Sequence, residues 1–275
     1  MSDESRRQFI RAGAVAAWVA ATDRVWAGYA WAAERSPGQS ASSAPSTNEA
    51  TAGEPSPDKA SVGKVSSDKP SAERASNAAR LIPPTRALLG SLRAPALAPF
   101  LAEWPLESAG SPNELRPVVP STLPVLRYLP ELKSDAPAFS RDLVNDIGRA
   151  APTMAWRRTY TEADVGAAFL QNYGWSEIVG TSGPLPSERV ACGFLVLGPQ
   201  IHYRRHEHEA EEVYIPLAGT ASWQQGDGGW SKYAPGTVIH HDRNEPHAMR
   251  TGTRPLLALY LWRSTDLHQK AHFVR

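Results

Sequence analysis

A single cysteine, Cys192, is present in 275 residues, and that scarcity excludes an internal disulfide framework and a cysteine-rich zinc module. Within "ERVACGFLVLG" it reads as a small buried hydrophobe. Net charge is scarce as well. Lys+Arg 29 against Asp+Glu 28 leaves +1 at pH 7, so no global basic field points to nucleic acid. Long apolar runs are missing: "AGAVAAWVAA" is interrupted at Asp23 and Arg24, short of a stable membrane span. Residues 34–80, "SPGQSASSAPSTNEATAGEPSPDKASVGKVSSDKPSAERAS" for the most part, hold almost no large apolar side chains. Such a stretch cannot bury enough surface to offset its ordering entropy, and it reads as a disordered Ser/Pro/Ala-rich linker.

What is present divides into parts. In "SRRQFI", Arg6 and Arg7 precede the apolar-biased segment, and "AGYAWAAE" follows with small residues. Residues 1–33 resemble a bacterial twin-arginine export signal. That reading implies a periplasmic destination; an attached N-terminal helix on a cytoplasmic protein is the alternative. The twin-arginine route exports folded chains, often with a cofactor already inserted, which would suit a metalloprotein. Residues 81–150 read as helical, from "TRALLGSLR", "ALAPFLAEW", "LPVLRYLPEL" and "FSRDLVNDIGRAA", each with apolar residues at helical spacing and broken by Pro or Gly. None carries a cluster of metal ligands, and this segment is expected to be a cap or a homodimer element. Residues 151–275 read as short strands between turns such as "GDGG" and "APG", a sandwich or a small barrel. "TEADVGAAFLQ" is the exception, a helix with Thr161 as N-cap and Asp164 in its first turn.

The stretch "HYRRHEHEAEEVYIPLAG", residues 202–219, packs three histidines, four glutamates and two tyrosines ahead of an apolar strand. Alternate residues of a strand share a face, so His206 pairs with His208 and Glu212 with Tyr214. A hairpin turning near "EAE" would converge all four, and Gly219 would open the next turn. Downstream, the turn "NEPH" delivers His247 at the start of another strand. Imidazoles, a carboxylate and a phenol together suit one divalent metal: zinc, iron, manganese, cobalt or nickel. His240 and His241 read as loop residues, His202 as structural or exposed, and Arg204 and Arg205 as a solvated face.

The spacing HxHxxxExxxxxxG with a late histidine matches the two motifs of the cupin superfamily. "NYGWSEIVGT", "YRRHEHEAEEVYIPLAGTASWQ", "VIHH" and "HAMRTGTRPLLALYLWR" further resemble the cupin-type dimethylsulfoniopropionate (DMSP) lyases, in particular the bacterial L-type family. The resemblance covers residues 155–270. It implies a mainly β fold, a cupin (double-stranded β-helix, jelly-roll) barrel with an N-terminal helical segment. It implies metal ligands at His206, His208, Glu212 and His247, and a tyrosine base at Tyr214. It also implies a second pocket tyrosine at Tyr203, with a catalytic or substrate-binding role, and substrate contact by Trp262.

The implied chemistry is a β-elimination of DMSP to acrylate, dimethyl sulfide and a proton. Aromatic faces attract the substrate's sulfonium. Tyr260 shares the strand parity of Trp262 and is expected on the same face, while Tyr160, Tyr173 and Trp175 are weaker candidates at the pocket mouth. Two readings compete: a cupin dioxygenase with the same ligands and redox iron, and a non-catalytic exported cupin that only binds its ligand.

Overall fold

The computed structural model describes residues 77–105 and 115–274. The export signal expected over 1–33 and all but the end of the linker expected over 34–80 lie outside the described residues. At that end, residues 77–79 are helical and Ala78 is buried, so folded structure includes the last residues assigned to the linker.

Beyond residues 77–79, five α-helices come first among the described residues: α1 (Ile82–Leu92), α2 (Ala98–Ala102), α3 (Leu129–Asp135), α4 (Arg141–Ala150) and α5 (Glu162–Leu170). Proline in the first turn fits α1, α2 and α3, because the orphan N–H there needs no partner. In α5 the Asp164 carboxylate accepts from the Thr161 backbone N–H at 2.7 Å, as expected of a capped start.

Nine strands follow among the described residues: β1 (Tyr173–Gly180), β2 (Leu185–Pro186), β3 (Val190–Leu197), β4 (His202–Glu207), β5 (Glu211–Gln225), β6 (Ser231–Tyr233), β7 (Ile239–His241), β8 (His247–Arg263) and β9 (His272–Phe273). The long strand β8 is the spine. Its first turn of sequence, His247–Arg250, lies between β4 and the end of β5, and its last part, Leu256–Arg263, lies between β3 and the start of β5. All the β8 pairings are antiparallel, and β5 also carries β6 and β7.

Strand alternation separates two cores. Val213, Ile215, Leu217, Leu257, Leu259 and Leu261 face outward, where they pack with Leu97, Phe100, Leu132 and Ile147 of the helical part. Tyr214, Ala258, Tyr260, Tyr203, Trp223 and Met249 face the interior. Both sides of the central strands are therefore covered, which explains the unbroken apolar run in β3. Cys192 is fully buried on the helix side and burial pushes its thiol pKa well up, in keeping with a core hydrophobe.

Two expectations need correction. Glu209 and Ala210 do bend the chain, but β4 and β5 are not ladder partners; each pairs with β8. The ligand-type residues converge because the sheet curls around that shared strand, not through a hairpin. Nor does Gly219 open a turn. It lies inside β5, where the register shifts between Gly219 and Ala221, with φ +77. A Cβ there would stand 1.9 Å from the Pro255 carbonyl oxygen, a backbone atom that cannot swing aside. Gly219→Ala is expected to cost more than about 3 kcal/mol, combining positive-φ strain with a backbone clash; denaturant unfolding of the purified variant checks this.

Candidate metal centre

β4 supplies His206, the bend after it His208, the start of β5 Glu212, and the start of β8 His247. All four side chains are buried. His206 and His247 sit directly opposite each other across the β4–β8 ladder, and Glu212 lies opposite Trp262 and His241. One ligand atom from each of His206, His208 and His247 falls within 4.8 Å of the others. The Glu212 Oε2 is 2.9 Å from His208 Nε2 and 3.1 Å from His247 Nε2.

The hydrogen bonds behind this cluster define its chemistry. His206 Nδ1 meets the Arg204 carbonyl at 2.8 Å, His208 Nδ1 the Ala210 carbonyl at 2.9 Å, and His247 Nδ1 the Glu245 carbonyl at 2.8 Å. A carbonyl only accepts, so each Nδ1 carries a proton and each ring turns its Nε2 inward. The His247 Nε2, close as it is to Glu212, makes no aligned hydrogen bond. Three Nε2 atoms and a carboxylate oxygen facing one another call for positive charge among them. The donor set of nitrogen and one carboxylate therefore fits a divalent metal. Burial holds the His206 pKa well below its usual value, which keeps that ring in the ligating form.

Beside the cluster is a cavity of about 540 Å³. Tyr203, Glu212, Tyr214, Tyr260 and Trp262 line one side, and Tyr173, Trp175 and Glu177 of β1 another. Residues Leu267–Ala271 cross it, pinned where Gln269 accepts from the Glu209 backbone N–H at 2.6 Å. Tyr214 and Tyr260 are cross-strand neighbours. Burial raises the Tyr214 phenol pKa well above its ordinary value, and the adjacent Glu212 carboxylate raises it further.

Tyr203 reaches this interior for a reason that alternation does not supply. It is three residues before His206, so a regular strand would put the two on opposite faces. The β4–β8 register shifts between Tyr203 and His206, a bulge that leaves both facing inward. The Tyr203 ring stacks on His206 at 4.1 Å, and its hydroxyl lies 2.8 Å from the Tyr160 hydroxyl. Burial pushes both phenol pKa values well above their ordinary value.

The family model for dimethylsulfoniopropionate lyase matches residues 106–258. The dimethylsulfoniopropionate lyase DddQ of Ruegeria pomeroyi is 33% identical over 171 residues, 62% of this chain and 82% of that one. The chain belongs to the dimethylsulfoniopropionate lyase family. The putative lyase DddL of Cereibacter sphaeroides is also 33% identical, over 130 residues, 46% of this chain and 54% of its own. The crystal structure of DddQ from Ruegeria pomeroyi superposes with a TM-score of 0.62 at 29% identity, covering 72% of this chain and 96% of that one. A structure reported with the DMSP lyases RdDddP and RnDddQII gives the same TM-score at 31% identity, covering 74% and 100%. The mainly β cupin barrel expected from the motifs is thus the fold. Identity is equal to the Q-type and L-type relatives, and the longer match is to the Q-type, so the narrower L-type likeness is not singled out.

Within this family's barrel, the expected site residues occupy one neighbourhood. Trp262 lines the cavity, but its Nε1 donates to Glu212 Oε1 at 2.7 Å and its ring lies 4.2 Å from that of His208. It therefore orients the cluster as well as facing the cavity. Tyr173 and Trp175 reach the lining, whereas Tyr160 stands behind Tyr203. Arg204 and Arg205 are not merely solvated. Arg204 donates to the Asp164 carbonyl and covers the Phe273 ring, and Arg205 donates to the Gly226 carbonyl. His202 is exposed and meets the Trp230 ring edge-on. His240 bonds Glu211 at 2.8 Å.

His241 was underrated as a loop residue. It is fully buried on β7, stacked 4.1 Å from His247, and neither ring nitrogen makes a hydrogen bond, the Glu245 carboxylate standing 3.8 Å from Nδ1. The signal was available: "VIHH" is a strand-like run, and Ile239 and His241 share its inward face. Burial lowers the His241 pKa from 6.5 to about 3. The unfolded chain takes up this proton below about pH 6.5 while the folded chain does not, so stability is complete above that pH and declines as pH falls. Metal-free protein is expected to lose roughly 2 kcal/mol between pH 7 and 5 from His241 alone. His206 acts in the same direction; the depressed Glu212 contributes only below its ordinary carboxylate range. Urea unfolding at both pH values checks the loss, and His241→Phe should shrink it.

Proposed function

We propose that this chain is a metal-dependent lyase that cleaves DMSP by β-elimination to acrylate and dimethyl sulfide, with Tyr214 as the base. The observation that carries the reading is the inward convergence of three Nε2 atoms and the Glu212 carboxylate beside a buried phenol, in a chain of the DMSP lyase family.

A divalent cation bound there would take the substrate carboxylate, offset charge building on the neighbouring carbon, and draw the phenol toward phenolate. His206, His208, His247 and Glu212 would hold it, and Trp262 orients Glu212. Tyr214 removes a proton from the carbon next to the carboxylate. The electron pair of that C–H bond forms the new C=C bond, the C–S bond breaks, and its pair leaves on sulfur as neutral dimethyl sulfide. No general acid is required. Tyr203, hydrogen-bonded to Tyr160 and stacked on His206, positions the ligand and the substrate. Aromatic walls at Tyr260 and Trp262 face the sulfonium, each contact contributing roughly 0.5–2 kcal/mol. The arginine pair near the N-terminus supports periplasmic work after twin-arginine export; cell fractionation tests that.

Headspace dimethyl sulfide from the purified full chain with DMSP, before and after chelation and metal return, tests the reading. Sulfide that disappears with chelator and returns with metal is the expected result. Its absence from folded, metal-loaded protein would sink the assignment.

A further inference from the structure

The cavity has a second carboxylate that the metal cluster does not use. On β1, alternation turns Tyr173, Trp175 and Glu177 to the cavity. The Glu177 Oε1 accepts from Ser182 N at 2.6 Å, Ser182 Oγ at 3.0 Å and Gly183 N at 2.9 Å. Gly180, at φ +137, makes room for this carboxyl group: a Cβ there would lie 2.7 Å from its carbon. The other oxygen, Oε2, has no hydrogen-bond partner among the described residues, and no Lys, Arg or His nitrogen there is within ion-pair distance of it. Burial raises the Glu177 pKa, the Ser182 and Gly183 hydrogen bonds work against that, and Arg157 acts on it only from farther away.

The register connects this carboxylate to the base. Glu177 lies opposite Gly193, Gly193 opposite Tyr260, and Tyr260 opposite Tyr214. That is three strand spacings, roughly 14 Å along the sheet and less across the curled barrel. Gly193 leaves the floor of this row bare, so the Tyr260 ring lies over it; a Cβ would meet Tyr260 Cε1 and its hydroxyl at 2.8 Å. Trp175 stands edge-on to Tyr260 at 6.3 Å and 89°. Two rings at a right angle and a fixed carboxylate with a free oxygen form a receptor for a small onium group that has no hydrogen to donate.

We propose that Glu177, with Trp175 and Tyr260, is the subsite for the cationic end of the substrate and makes the cavity selective for onium zwitterions over thioether carboxylates whose sulfur is neutral. This rests on the lyase reading above and adds the residue that recognises charge. Its effect on the kinetics follows from the chemistry. As the C–S bond breaks, the cation becomes a neutral sulfide, so Glu177 holds the ground state at least as tightly as the transition state. Its charge therefore lowers KM without raising kcat.

The test is Glu177→Gln in the full, metal-loaded chain. The amide oxygen still accepts from Ser182 and Gly183, so the loop and the unfolding midpoint should be kept while the charge is lost. KM for DMSP is expected to rise at least about tenfold with kcat within about twofold, as removal of one close charge partner predicts. The inhibition constant of 3-(methylthio)propionate, which keeps the carboxylate but has a neutral sulfur, should not rise. A KM change under twofold, or an equal loss for the neutral-sulfur thioether, overturns the proposal. If wild-type protein releases no sulfide, the lyase reading has failed separately. Calorimetry with 3-(trimethylammonio)propionate then decides: binding weakened only in the variant supports the onium subsite, and equal binding or none overturns it.

Discussion

Tyr214→Phe is expected to lower dimethyl sulfide release by about a thousandfold, within the range a positioned general base contributes, while metal content and unfolding midpoint change little. The phenol is buried, and its surroundings without a cation work against ionisation, since both burial and the Glu212 carboxylate raise its pKa. A tyrosine in this setting is a poor base unless positive charge is placed beside it. The same Glu212 that raises the phenol pKa is the residue that would hold that charge. Removing the hydroxyl leaves the ring, so the packing against the His241 and His247 edges, at 6.1 and 6.4 Å, is retained. Single-turnover release by the variant at saturating DMSP, beside its metal content, makes the measurement. Activity within tenfold of wild type would move the base to another group, with Tyr203 the next candidate on geometry.

Much of this arrangement was legible in the residues. Alternation along "EEVYIPLAG" and "LLALYLWR" assigns Tyr214, Tyr260 and Trp262 to the interior and Val213, Leu259 and Leu261 to the helix side, as found. The turn before His247 was also readable, because Asn244 and Pro246 mark it. The strand pairing was not. A bend near "EAE" suggests a local hairpin, but long-range pairing to β8 prevails and the sheet closes through that strand. Neither was the bulge in β4, since nothing in "YRRH" marks an extra residue and only the family likeness pointed to Tyr203. Gly219 misleads for the same reason: a glycine at a bulge looks like a glycine at a turn until the partner strand is known. Glu177 looked like any strand glutamate, because its importance depends on the bare Gly193 and the ring of Tyr260 two strands away.

Glu212→Gln is expected to have the other large effect, and its pattern separates metal binding from folding. The carboxylate sits 2.9 and 3.1 Å from two imidazole nitrogens and accepts from Trp262 through its second oxygen. Gln keeps the volume and the acceptor for Trp262, and its amide N–H groups can donate to the inward Nε2 lone pairs. The metal-free variant should therefore fold with stability within about 1 kcal/mol of the metal-free wild type, since a satisfied neutral amide replaces a buried charge. Metal affinity should fall far more, by at least about the 10–100-fold that loss of an outer-shell partner alone costs, because the carboxylate beside the three histidines is gone. Bound metal stabilises by mass action, so the rise in unfolding midpoint on adding metal to wild type should largely vanish in the variant, together with sulfide release. A variant that keeps both the metal-induced stabilisation and the activity would remove Glu212 from the ligand set and leave the three histidines as the whole site.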